Sequence, residues 1–398
     1  MRRGRAPVEP PIPLVNAFDS REQVLMSQPM SVLIVQQLLA HYRRGVLMEL
    51  ERSAAIQVTF AADTSSKDGS IPGIPLTSFR RTVRLKNSWL GPVLWQRGLL
   101  RCIVRGRFDC VIFSGDAKHI STWVALALAR LLGARTYLWT IGWHRPDSTR
   151  LKGMARTLFY RLADRILLYG EDGYRLGAEA GFPTDRMSVI GNSYSQSPSA
   201  STPVEALDLE ASLSHDRTRF VGAIVRLNHE KRFDMLVSAV DVLRRQGRDI
   251  GVLLTGSGPA QETIAKEAER LGVPLFLTGA AYDDATISAV YRKLDVTVLP
   301  ERAGLTVMQS LTYGTPVVTV DDPYHQVPEF RAVIPGVTGV LYPRGNVDAL
   351  ARAIDQCLRM VDEQGESLAE ACRAEIEKNW SVEAHARRLL SALGEGTA

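Results

Sequence analysis

The chain has 398 residues, 48 Lys+Arg against 43 Asp+Glu, and a hydrophobic share of 45%. At roughly 150 residues per domain this makes two to three domains, and the ordinary apolar and charged content excludes collagen-like, disulfide-framework and wholly disordered classes. The net charge of +5 hides a division: residues 1–195 hold 27 Lys+Arg against 15 Asp+Glu, whereas residues 196–398 hold 21 against 28. The first half therefore suits an anionic counterpart, whether a membrane surface, a phosphorylated substrate or nucleic acid.

Residues 1–29 carry five prolines, begin with a basic cluster and show no secretory apolar run; they read as a flexible extension, and the expectation is a cytoplasmic protein. From Met30 a rhythm of β-type runs begins: Met30–Val35, Ile56–Ala61, Phe108–Phe113, Thr136–Thr140, Arg165–Tyr169 and Met187–Ile190, alternating with helical stretches such as Thr122–Leu132. Such alternation predicts a parallel sheet covered by helices over 30–195. The stretch Arg80–Arg107 holds eight basic residues, no acidic ones, and both Trp89 and Trp95. Arg97, Arg101 and Arg105 recur every four residues, as on one face of a helix, and such a face suits an anionic bilayer. The alternative is a core helix with a solvated arginine stripe. Nucleic acid is disfavoured because no binding motif accompanies the charge.

Gly191–Thr202, with five serines and one proline, reads as a linker. The rhythm then restarts with Phe220–Val225, Gly251–Thr255, Leu275–Thr278, Val296–Leu299 and Pro316–Val320, predicting a second Rossmann-like unit over 196–375. The last segment, 376–398, is helical by pattern and is expected to pack back toward the first domain. No run of about 18 uncharged apolar residues is present to span a membrane. The four cysteines, Cys102, Cys110, Cys357 and Cys372, have no metal-ligand spacing.

Ligands of open α/β sheets bind beyond the carboxyl ends of the strands, so the loops there carry the candidates. Arg226 and Lys231 follow the first strand of the second unit and can converge on one anion, although Lys231 could equally begin a solvated helix face. Gly304-Leu305-Thr306 follows another strand and opens a helix, offering bare amides and a positive helix end to an anion. Gly256, in Gly256-Ser257-Gly258, fits a phosphate or sugar loop or a plain turn. In the first unit His119 follows a strand and opens a helix; it either faces the cleft or serves only local backbone bonds. His41-Tyr42-Arg43 and Trp139–Arg145 are further loop candidates. No pair of aspartates one residue apart lies at a clear strand end, as a divalent-ion diphosphate site would prefer, and no GxGxxG follows the first strand of either half.

Gly222–Arg232, Pro300–Gln309 and Tyr313–Val318, taken in order and at this spacing, resemble the GT-B glycosyltransferases of family 4. The likeness runs from about 164 to 355 and includes Ala163–Leu167 and Val189–Asn192; across 30–163 it is one of layout. It implies two Rossmann-like domains facing a central cleft, acceptor first and donor second, and sugar transfer from a nucleotide sugar with retention of configuration and without a catalytic metal or cofactor. Arg226, Lys231 and the Gly304 loop would stabilise the departing diphosphate, and Glu301 would orient the donor sugar. Gln309 would hold ribose and His119 would assist from the opposite wall. Gly279 lies where the family places its nucleobase, and Glu329 would close the donor end. Gln309 stands where the family typically shows a second glutamate, so its ribose bond is not charge-assisted. The acceptor would be a saccharide or lipid-linked saccharide of an envelope or exopolysaccharide pathway, reached at the inner face of the membrane. The rivals are a nucleotide-sugar epimerase or hydrolase on this scaffold, or a non-catalytic partner in an envelope-assembly complex.

Overall fold

A computed structural model describes residues 28–65, 67, 72–143, 150–195, 218–281 and 283–394. The predicted extension falls almost wholly outside this set, as do 196–202 of the linker. Strands β1 (Met30–Leu38), β2 (Ile56–Asp63), β3 (Thr82–Arg84), β4 (Lys86–Leu90), β5 (Val93–Arg97), β6 (Cys110–Ser114), β7 (Arg135–Thr140), β8 (Arg165–Leu168) and β9 (Met187–Val189) belong to the first unit. All but β4 and β5 form one parallel sheet in the order β3-β2-β1-β6-β7-β8-β9. The second unit is a parallel sheet of β10 (Arg219–Ile224), β11 (Ile250–Thr255), β12 (Leu275–Leu277), β13 (Val296–Leu299), β14 (Val317–Val320) and β15 (Gly339–Tyr342), ordered β12-β11-β10-β13-β14-β15. The apolar runs of β6, β11 and β14 are buried on both faces, the mark of parallel strands sandwiched by helices.

The first sheet is covered by α1 (Arg44–Arg52), α2 (Leu99–Gly106), α3 (Ile120–Leu131), α4 (Arg150–Arg161) and α5 (Glu171–Glu179). Helices α6 (Phe233–Arg245), α7 (Gln261–Leu271), α8 (Asp284–Lys293), α9 (Leu305–Thr312), α10 (Val347–Gln364) and α11 (Glu366–Glu375) belong to the second. A π-helical turn, Ile376–Trp380, leads into α12 (Val382–Gly394), whose Ala386, Leu389, Ala392 and Leu393 are buried in the core of the first domain beside Leu47, Leu50 and Tyr137. The chain end thus returns to the domain where it started, as its apolar periodicity requires.

The basic stretch differs from the sequence reading. Arg97 lies on β5, in an antiparallel hairpin with β4, and helix α2 begins only at Leu99, so the four-residue spacing of Arg97 and Arg101 does not mark one helical face. The break is Gly98, whose φ of +93° a side chain would oppose.

Strand order reverses direction at β1/β6 in one sheet and at β10/β13 in the other. These are the topological switch points where open sheets leave a crevice. The halves also touch: Arg331 donates to both carboxylate oxygens of Asp172 at 2.8 and 2.7 Å, and Asn192 Nδ2 donates to Glu329 Oε1 at 2.7 Å. Gly170 faces Pro328 so closely that a Cβ there would sit 2.8 Å from the proline ring.

Candidate active site

The loops after β10 and β13 meet at the switch point of the second domain. Lys231, in a 3-10 turn after β10, donates from Nζ to the carbonyls of Arg302 (2.6 Å) and Ala303 (3.3 Å) in the loop after β13. No carboxylate among the described residues engages its ammonium. Burial lowers its pKa, and Glu230 opposes that effect while Arg302 adds to it. Arg226 is exposed and its guanidinium has no partner among the described residues. Arg226 and Lys231 both lie on the loop after β10, and a guanidinium or an ammonium there is a donor suited to a phosphate oxygen.

The same loop continues into α9. Gly304 adopts φ +106° and ψ −160°, a conformation that only glycine holds without strain, and no side chain caps the helix it precedes. The first amides of α9, from Leu305 and Thr306, therefore remain available to an external acceptor. Thr306 Oγ1 is turned inward, donating to the carbonyl of Ile224 at 3.4 Å, which ties α9 to the end of β10.

Glu301 is buried and held from two sides on one oxygen: His325 Nε2 lies 2.5 Å and Arg344 Nε 2.9 Å from Oε2. Its backbone carbonyl accepts from Thr319 and Gln326. A carboxylate fixed in this way presents its other oxygen, Oε1, in a set orientation. His325 and Arg344 are site residues that sequence reasoning missed, since neither lies in the motif.

Gly256 and Gly279 have a backbone reason for being glycine. At Gly256, with φ +144°, a Cβ would fall 1.9 Å from the carbonyl oxygen of Val225, and its N–H donates to Gly279 O at 2.6 Å. The loops after β10, β11 and β12 consequently lie against one another. Gly279 has φ +78° and open space around it.

Gln309 is bracketed by tyrosines. The hydroxyl of Tyr291 donates to Oε1 at 3.2 Å, Tyr194 bonds the same amide, and Tyr313 stacks on Tyr291 with ring centroids 4.8 Å apart. Burial raises the pKa of Tyr194 and Tyr291, so both remain neutral phenols. The amide carbonyl expected to meet ribose thus already accepts one bond.

On the opposite sheet, His119 precedes α3, is 5% exposed and leaves Nδ1 without a partner. Burial lowers its pKa, against the pull of Asp116, so its ring is neutral at pH 7. At the β1/β6 switch point, Gln36 Oε1 accepts from Arg43 (2.9 Å) and Ser114 (3.0 Å). The Arg43 guanidinium also bonds Tyr169 and lies 4.9 Å from the Trp139 ring centroid. Of the loop Trp139–Arg145, residues 144 and 145 lie outside the described set. Glu329, buried where the halves touch, has its carboxyl pushed up by burial, opposed by the Asn192 bond and more weakly by Arg302 and Arg43. The sequence had marked Arg43 and Glu329 separately; their approach across the domain boundary was not visible there.

Two parallel sheets of this topology, each bearing its polar loops at the switch point, define the GT-B class. The fold agrees with solved structures over nearly the whole chain: a glycosyltransferase from Rickettsia africae matches with a TM-score of 0.70 at 14% identity, covering 93% of this chain and 100% of that one. Anabaena HepE in complex with UDP matches at 0.68 and 16% identity, covering 92% and 99%. Residues 206–375 match the family Glycosyl transferases group 1. Among curated relatives, the lipopolysaccharide core biosynthesis mannosyltransferase LpsB of Rhizobium meliloti is 27% identical over 207 residues, 47% of this chain and 55% of that protein. The alpha-D-kanosaminyltransferase of Streptomyces kanamyceticus is 26% identical over 294 residues, 66% of this chain and 73% of that protein. A GDP-mannose-dependent phosphatidylinositol monomannoside mannosyltransferase of Mycolicibacterium smegmatis is 29% identical over 151 residues, 35% of this chain and 38% of that protein. The matched region thus spans about half or less of the first and third of these relatives.

Proposed function

We propose that the protein is a retaining glycosyltransferase that moves a sugar from a nucleoside-diphosphate donor to a hydroxyl of a saccharide or lipid-linked saccharide in envelope or exopolysaccharide biosynthesis. The observation that carries this reading is the anchoring of Lys231 on the loop that leads into the uncapped start of α9, with Arg226 exposed on the same loop as Lys231. As the glycosidic bond breaks, charge develops on the departing diphosphate; fixed cations and helix amides stabilise it without reorganisation, and no catalytic metal is required in this scheme. Glu301, aligned by His325 and Arg344, accepts a hydroxyl of the donor sugar. Gln309 faces ribose, Gly256 and Gly279 shape the floor for phosphate and base, His119 meets the sugar from the first domain, and Glu329 closes the donor end. That the similar LpsB acts in lipopolysaccharide core synthesis, and the mycobacterial relative on a phosphatidylinositol mannoside, supports a lipid-linked acceptor at the inner face of the membrane.

The testing experiment is a thermal-shift panel of nucleoside diphosphates and their sugars, with and without chelator. A ligand selective for the native state raises its melting temperature. The expected result is stabilisation by one base, surviving chelation and lost in Arg226→Ala; equal melting with every nucleotide would refute the reading. A second reading, epimerisation or hydrolysis, is favoured by the fold neighbour titled a putative UDP-N-acetylglucosamine 2-epimerase from Listeria monocytogenes, TM-score 0.61 at 13% identity. It is separated by donor consumption in the absence of any acceptor.

A further inference from the structure

We propose that the outer face of helices α2, α3 and α4 is a docking surface for an anionic lipid bilayer. Apolar residues line both sides of α3. Thr122, Ala125, Leu126 and Ala129 are buried against the sheet, yet Ile120, Val124, Ala127 and Leu131, at i, i+4, i+7 and i+11, form a second stripe facing solvent. Ile120 is 42%, Val124 45% and Leu131 84% exposed. A helix apolar on all sides ordinarily lies inside a core or a membrane, and here one side has no protein cover. Helix α4 repeats the pattern with Met154 and Leu158, 68% and 56% exposed, and α2 with Val104 at 53%.

These helices form one continuous layer. Helix α2 packs on α3. Trp123 of α3 meets Phe159 of α4 with ring centroids 5.0 Å apart, and Arg130 reaches the carbonyl of Leu162 at 2.9 Å. Of the twelve exposed large hydrophobics among the described residues, nine fall between positions 90 and 158, so the uncovered apolar area is concentrated here rather than scattered. A groove of 510 Å³ on this layer is walled by Met154 and Leu158 with Arg156 and Arg161 beside them.

Charge chooses the occupant. Helices α2, α3 and α4 contain no aspartate or glutamate, while Arg101, Arg105, Lys152 and Arg161 are exposed on them; Arg130 is paired with Asp164 at 3.3 Å. A second copy of the same face would oppose cation to cation. Apolar knobs ringed by cations match the interface of a bilayer containing acidic lipid, where apolar side chains enter the acyl boundary and each basic residue raises partitioning by roughly five-fold. No helix among the described residues is long and apolar enough to cross a membrane, so the contact proposed is an interfacial one. It goes beyond the sugar-transfer reading and does not depend on it.

The test is co-sedimentation of the full chain with vesicles of pure phosphatidylcholine and with vesicles one-third phosphatidylglycerol, at low and physiological salt. Binding to the acidic vesicles, weakened by salt and by the neutral composition, is expected. Val124→Glu combined with Leu131→Glu, both at exposed positions, is expected to lower it at least ten-fold while the unliganded melting temperature stays near wild type. Arg101→Gln with Arg105→Gln should lower it by roughly the square of the single-residue factor and flatten its salt dependence. Equal binding to both vesicle types, no binding at low salt, or unchanged binding in folded variants would each overturn the proposal. So would dimers in light scattering that the glutamate substitutions dissociate, since the face would then join two copies of the chain. Nucleotide-induced thermal shifts, measured without vesicles, report the sugar-transfer reading separately.

Discussion

Arg226 and Lys231 differ in what the fold asks of them, and the difference makes their removal informative. Lys231 joins two loops through charged hydrogen bonds to Arg302 O and Ala303 O, 71 and 72 positions away. Such bonds contribute about 1.5–3 kcal/mol each at most, so Lys231→Ala should cost about 2 kcal/mol of stability after solvent compensation. In a domain of this size that is a fall of roughly 4–8 °C in melting temperature. Arg226 holds nothing in place, so Arg226→Ala should leave the melting temperature within about 1 °C, as exposed substitutions usually do. Either substitution removes a cation that stabilises the leaving diphosphate, a loss of about 3 kcal/mol or 10²- to 10³-fold in turnover. The assay is donor consumption in the presence of acceptor, alongside calorimetric melting of each variant. The decisive result is Arg226→Ala: full stability with turnover reduced a hundred-fold supports the assignment, and turnover within three-fold of wild type refutes it.

Gln309→Glu should keep stability, because the Tyr291 hydroxyl donates as well to a carboxylate as to the amide oxygen, and should tighten donor binding by about 3- to 10-fold through a charge-assisted ribose bond; isothermal titration with the nucleotide checks both direction and size. Stability should fall as the pH drops from 7.5 to 5. His385 is fully buried, bonded from Nδ1 to Ser193 Oγ at 3.0 Å, and burial takes its pKa to about 3. The native ring stays neutral while the unfolded chain binds a proton below about 6.5, so this stability is present above that pH and is lost below it, about 2 kcal/mol by pH 5. Denaturant melts of His385→Gln should show a correspondingly flatter pH dependence, and an unchanged profile would exclude His385 as the source. Asp172→Ala removes the bidentate clasp of Arg331 between the domains; it should cost about 1 kcal/mol and enlarge the radius of gyration of the unliganded protein in small-angle scattering.

Much of the architecture was legible because parallel strands announce themselves as short β-branched runs with turn signals at both ends. Eleven such runs stand close to observed strands, and the loops after them hold the candidate residues. The elements not legible have local causes. Strand β3 lies at a sheet edge, half-buried and ending in exposed Arg84, so it shows no buried apolar run, and β15, also at an edge, opens on Gly339. The β4–β5 hairpin sits within a basic stretch whose arginine spacing imitates a helix until Gly98 turns the chain. In the site, the motif residues could be placed but their partners could not. Glu301 is oriented by Arg344, 43 positions away, and Gln309 by Tyr291 and Tyr194; these contacts arise only when strands that are distant in sequence become neighbours. The outer stripe of α3 was written in the sequence at helical spacing. What the sequence lacked was knowledge that the other side of the same helix had already taken up the core contacts.

Isothermal titration of one nucleoside as its diphosphate and as its monophosphate, in wild type and in Arg226→Ala, tests the central claim most directly. The cationic crevice predicts that the wild type prefers the diphosphate by about 10- to 100-fold, the value of one or two charge-assisted bonds, and that Arg226→Ala loses most of this preference while still binding the monophosphate. Equal affinity of the wild type for the two ligands, or an undiminished preference in the variant, would contradict it.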